Sequence, residues 1–132
     1  MPANTSPIFV LTPNAVPIQI STANTARDGT GTLGTVVTAG ANGTRIEGIR
    51  VQAAVTTTAG VVRLFITDAA GANPRLFMEI LIAAVTPSTS VEAASYERVF
   101  TRPLFLASGQ LLKASTNNAE AIKVFALGVG DL

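Results

Sequence analysis

Residues 49–55, IRVQAAV, alternate between two faces, with Ile49, Val51, Ala53 and Val55 on one and Arg50 and Gln52 on the other. A side-chain period of two marks a half-buried strand. Ile46 has the wrong parity for the apolar row, and Gly48 lies between the two phases. A β-bulge at Gly48 restores the register, because one extra residue flips the side-chain phase and glycine accepts the kink. The loop ahead of this strand, GANGTR at 40–45, lacks the glycine-lysine spacing that wraps a phosphate. It leads into a strand, so no helix N-terminus is there to hold an anion. Asn42-Gly43 before an alternating run reads instead as a hairpin turn.

Residues 60–82 predict a complete hairpin. Val62, Leu64 and Ile66 form one apolar row, and Leu76, Met78, Ile80 and Ile82 form its match. The segment between them, DAAGANP, is built of turn formers, with Asp68 at its start. Arg63 and Glu79 fall on the non-core face as a cross-strand charge pair. Phe65, Phe77 and Leu81 share that face. They lie either under another strand or loop, or on a contact surface.

Further strand patterns occupy 94–106, 110–116 and 121–129, with turns at ASGQ and TNNAE; weaker ones occupy 7–11, 16–21 and 31–38. Short strands at a spacing of roughly 10 residues, with no amphipathic helical window, predict an all-β fold, an antiparallel β-sandwich or jelly roll. An immunoglobulin-like sandwich lacks its Cys and Trp pattern here. Pro2, Pro7, Pro13 and Pro17 make residues 1–21 an extended N-terminal arm, anchored by Ile8, Phe9 and Val10, ahead of a single domain at 22–132. The arm packs along its own domain or reaches a neighbour.

Composition sharpens the picture. Hydrophobic residues make up 48% of the 132 residues and charged ones only 13%, where about 25% charged is usual. The longest uncharged apolar run, ILIAAV after Glu79, is about a third of the ~20 residues a membrane helix needs. The N-terminus has no basic start and no continuous apolar region of the secretory kind. Absence of Cys fits a reducing cytoplasm. The apolar surplus implies surface buried against other protein. Net charge is +1, and the arginines at 27, 45, 50, 63, 75, 98 and 102 are spread singly, which argues against a nucleic-acid partner.

Candidate chemistry is sparse. Without His or Cys, the commonest general base and the thiol nucleophile are missing. A Ser–Lys pair would need Ser115 beside Lys113 or Lys123, and no nucleophile-elbow pattern surrounds any Ser. The carboxylates Asp68, Glu79, Glu92 and Glu97 are better explained by turns and charge pairs than by a glycosidase pair. Acidic residues never cluster as in a calcium loop, and Asp28 in ARDGTG reads as a turn residue. Tyr96 alone gives little for sugar stacking. The expectation is a non-enzyme with no catalytic residue, metal or cofactor.

VVTAGANGTRIEGIRVQAAVTTTAGVVRLFITDAAG followed by RLFMEILI, and FLASGQLLKAST later, resemble small proteins encoded beside the capsid genes of tailed bacteriophages. The resemblance covers most of the chain after residue 30. It implies a head-decoration (cement) protein, a jelly-roll trimer on the virion surface that binds the major capsid protein. The alternative is a fibre or tail-tip module that binds a receptor or glycan. Phe65, Phe77 and Leu81 are the candidate subunit or capsid contacts, and Ile8, Phe9 and Val10 the candidate arm contacts.

Overall fold

The computed structural model describes residues 10–14 and 16–132. Its strands are β1 (Thr12–Pro13), β2 (Ile18–Ile20), β3 (Gly34–Thr38), β4 (Thr44–Ala53) and β5 (Gly60–Ile66), then β6 (Arg75–Ile82), β7 (Ser95–Leu106), β8 (Leu111–Thr116), β9 (Ile122–Leu127) and β10 (Gly130–Asp131). No helix occurs among the described residues.

The pairing is nested. β5 pairs with β6, β4 with β7, β3 with β8 and β2 with β9, all antiparallel, as in one long hairpin with its tip at 67–74. That ribbon is folded over, so that β5 also pairs with β8, and β4 with β9. Two sheets result, with orders β7-β4-β9-β2 and β3-β8-β5-β6. β10 continues the line of β9 beside β4, and β1 pairs with β10 beyond it. This strand order is the jelly roll, whose rolled ribbon sets two sheets face to face over one core.

The core follows from parity. Ile46, Ile49, Val51 and Ala53 of β4 and Ile122 and Val124 of β9 are buried, as are Val62, Leu64, Ile80, Leu112 and Ala114 of the other sheet. The pairing of β4 with β7 shifts register between Ile46 and Gly48, where a bulge was expected, but the extra residues are not at Gly48. A Cβ on Gly48 would lie 2.6 Å from the Arg98 carbonyl oxygen, so β7 approaches too closely for a side chain. The insertion itself sits in β7, where residues 100–103 stand opposite Glu47 alone.

Two expectations need correction or refinement. Gly40 to Gly43 do form a turn, closed by the Gly43 amide on the Gly40 carbonyl at 3.0 Å. It is not a hairpin turn, because β3 and β4 lie in different sheets and the turn carries the chain between them. The 60–82 hairpin forms with Arg63 directly opposite Glu79 and Leu64 opposite Met78. At its tip the Asp68 carboxylate accepts from the amides of Ala70 and Ala72 and from the Asn73 side chain. These bonds, the Ala72 amide foremost, hold its carboxyl below the usual carboxylate range.

From Val10 onward, the Pro-containing stretch runs along its own domain. Leu11 donates its amide to the Asp131 carbonyl, and β1 and β2 are edge strands. Asn14 and Thr44 both donate to Oδ1 of Asp131, at 2.9 and 2.7 Å, tying β1, β4 and β10 together. Ile8 and Phe9 lie outside the described residues.

Candidate interaction surface

β5 and β6 share an outer face on which Arg63, Phe65, Phe77, Glu79 and Leu81 were expected. The 21–33 segment between β2 and β3 crosses part of it. Asn24 holds that segment in shape, donating to the carbonyls of Thr30 and Thr32 and accepting from the Ala26 amide. Arg63 donates to the Asn24 carbonyl at 3.3 Å, Arg27 pairs with Glu79 at 3.1 Å, and Gly29 abuts Pro74. Phe65 lies between these anchors and is fully buried. It is therefore corrected from a candidate contact to an interior residue, covered by a loop of its own chain.

Phe77 and Leu81 stay at the surface. Leu81 is 73% exposed, while Phe77 meets Phe100 edge-on at 5.7 Å between ring centroids. That ring pair links β6 to β7 across one side of the sandwich, where both strands are edges of their sheets. Leu76 of β6, next to Phe77 in sequence, is exposed as well, while Val99 and Phe105 of β7 are exposed on the outer face of the other sheet, opposite Gly48 and Arg45. Two adjacent edge strands thus carry exposed apolar side chains, Leu76, Phe77 and Leu81 on β6 and Val99 and Phe105 on β7, with Leu81 and Val99 on the outer faces of opposite sheets.

The sequence pattern missed Val99 and Phe105. Their outward placement follows from alternation in β7, where Leu104 and Leu106 stand opposite Ile46 and Thr44 on the core side and Val99 and Phe105 opposite Gly48 and Arg45 on the other. Pro103, inside an otherwise strand-like run, is the signal that could have found it, since proline in a strand marks an edge or bulge. Val10 packs against Gly130 of its own chain.

The residues considered for chemistry are otherwise engaged. Glu79 accepts from both Arg63 and Arg27, each at 3.1 Å. Glu97 faces Arg50 at 3.7 Å. Asp28 is bonded by Thr30, whose hydroxyl and amide hold its carboxyl below the ordinary range. Ser115 is buried with no hydrogen-bond partner for its hydroxyl, so neither Lys113 nor Lys123 forms the Ser–Lys pair with it. The Tyr96 hydroxyl accepts from the Ala83 amide at 2.9 Å. No group of three or more His, Cys, Asp or Glu suited to a metal occurs among the described residues.

No family model matches the chain, and no curated protein matches it. Two solved structures are similar in fold, each a pentameric capsid protein isolated from metagenomic phage sequences. Both are 17% identical to this chain and cover 86% of it, with TM-scores of 0.42 and 0.41. The chain spans 60% and 57% of their lengths.

Proposed function

We propose that the chain is a structural protein of a tailed-phage virion, decorating the capsid and bracing it by binding between major capsid protein subunits. The observation that supports this most is the β6–β7 flank. Soluble domains defend their edge strands with charges, bulges or covering loops. Here two neighbouring edges carry charges and, in β7, an insertion, yet still expose Leu81, Val99 and Phe105. Each such side chain contributes ~1.5–3 kcal/mol when fully buried. Contacts of that size, repeated around a shell, hold by avidity without any single strong site.

Jelly rolls serve as viral shell domains and also as lectins, so the fold alone does not choose. The flank favours protein over sugar as its partner, because its exposed rings belong to phenylalanines and Tyr96 has its hydroxyl engaged within the domain. The resemblance in sequence implies three subunits. Nothing in a single subunit selects that number, which depends on the angle at which copies meet.

Labelled antibody against the chain, viewed on intact virions by electron microscopy, tests this reading. Label distributed over the head is the expected result. Label confined to the tail tip, or absent from virions, would overturn it.

A further inference from the structure

The 21–33 segment lies as a strap over the outer face of β5, β6 and β8. Of its own side chains only Asn24 is buried, so it supplies little apolar contact. What it covers is mixed. Phe65 is fully buried, but the Arg63 side chain is buried beside it. Ser115, opposite Arg63 on β8, is buried too, and its hydroxyl has no hydrogen-bond partner. A buried polar group left unpaired opposes closure, because water satisfies it once the cover lifts.

The base of the strap is loosely packed. A cleft of about 140 Å³ opens between its two legs, with Ser21 and Thr22 on one side, Thr32 and Leu33 on the other, and Ser115 in the lining. Interiors normally leave no such gap.

The strap is tied to the sheet at Asn24 and at Arg27. The Asn24 amide donates to the Thr116 carbonyl at 2.9 Å, and its carbonyl accepts from Arg63 at 3.3 Å. Arg27 pairs with Glu79 at 3.1 Å, with their side chains 66% and 32% exposed. An ion pair in that setting is weak and is screened by salt. The strap also holds its own shape. Asn24 donates to the carbonyls of Thr30 and Thr32, and the Thr30 hydroxyl donates to Asp28 at 2.6 Å.

We infer that the strap opens as a unit far short of global unfolding, with the Arg27–Glu79 pair as its latch. Opening uncovers Phe65 on the sheet face that also carries Leu81. The apolar area of that face therefore depends on salt, through the latch. The inference goes beyond the capsid reading and stands without it.

The chain has no cysteine, so a single introduced thiol reports on the strap. Ser115→Cys places one beneath it, and Ala114→Cys places one on the core side of the same strand. Thiol labelling is timed at low urea, and each rate is compared with what that variant's own global unfolding allows. Ala114→Cys should label only through global unfolding. Ser115→Cys should label at least ~100-fold faster than its global unfolding permits, with little dependence on urea, since local opening exposes little surface. Adding Arg27→Gln should speed that labelling about two- to five-fold. High salt should speed it likewise, but only while Arg27 is present. Labelling of Ser115→Cys no faster than global unfolding allows would overturn the inference. So would labelling that ignores both Arg27→Gln and salt, since the cleft rather than the strap would then admit the reagent.

Discussion

Phe65→Ala should destabilise the domain by about 3–4 kcal/mol, in the range found when buried aromatic side chains are truncated. Phe65 is among the largest fully buried side chains, yet it lies on the outer face of its sheet, outside the main core cluster. Its cover is the 21–33 loop, which can settle partway into the void, and that places the cost in the lower half of the range for such truncations. For a domain of this size the expected fall in melting temperature is on the order of 10 °C. Leu81→Ala, on the same strand face but 73% exposed, should leave the monomer within about 0.5 kcal/mol of wild type. Chemical denaturation of both variants distinguishes interior from surface. Equal losses at the two positions would contradict the burial described for Phe65.

Glu79→Ala should cost about 3 kcal/mol, through what it leaves behind. Arg63 has a side chain only 6% exposed, and Glu79 is the carboxylate that compensates its charge, at 3.1 Å. Removing one partner of a buried pair strands the other, at about 3–5 kcal/mol. Arg63 keeps its bonds to the Asn24 carbonyl and the Asn117 side chain, and Glu79 is 32% exposed, so the low end applies. The double variant Arg63→Met, Glu79→Leu should recover most of the loss, because no uncompensated charge remains. A double variant as unstable as Glu79→Ala would show that the hydrogen bonds to the 21–33 loop, rather than the stranded charge, set the cost.

Local regularities carried much of this fold in the sequence. The 60–82 hairpin was legible because its apolar rows match across a segment of turn formers, and an irregularity near Gly48 because Ile46 breaks the parity of Ile49 and Val51, although the extra residues lie in β7. Side-chain period reports which face of a strand a residue occupies, and that held for Phe65. It does not report what lies over the face. The cover comes from STANTARDGTGT, a polar segment whose path depends on Asn24 and on two arginines distant in sequence from each other, Arg27 and Arg63. The Asn42-Gly43 turn shows the same limit. The local signal gives the turn, while the partner of each strand is set by the rolled topology, which places β3 and β4 in different sheets. The interaction flank was half legible. Leu81 follows from parity, and so does the face of Val99 and Phe105, but their exposure depends on β7 being an edge strand with nothing laid over that face.

The flank also accounts for the composition. With 48% hydrophobic and 13% charged residues, the chain holds more apolar side chains than its sandwich encloses, and among the described residues most of the exposed large ones stand on or beside edge strands, with Val55 and Val91 in loops. Edge strands are where exposed apolar groups most readily recruit another chain. The account therefore rests on these edges being covered in the assembled protein.

Sedimentation of the wild-type chain across a wide dilution series tests that claim most directly. An oligomer that persists into the low micromolar range and dissociates only on further dilution is the predicted result. A monomer at every concentration, with Leu81, Val99 and Phe105 left in water, would contradict it.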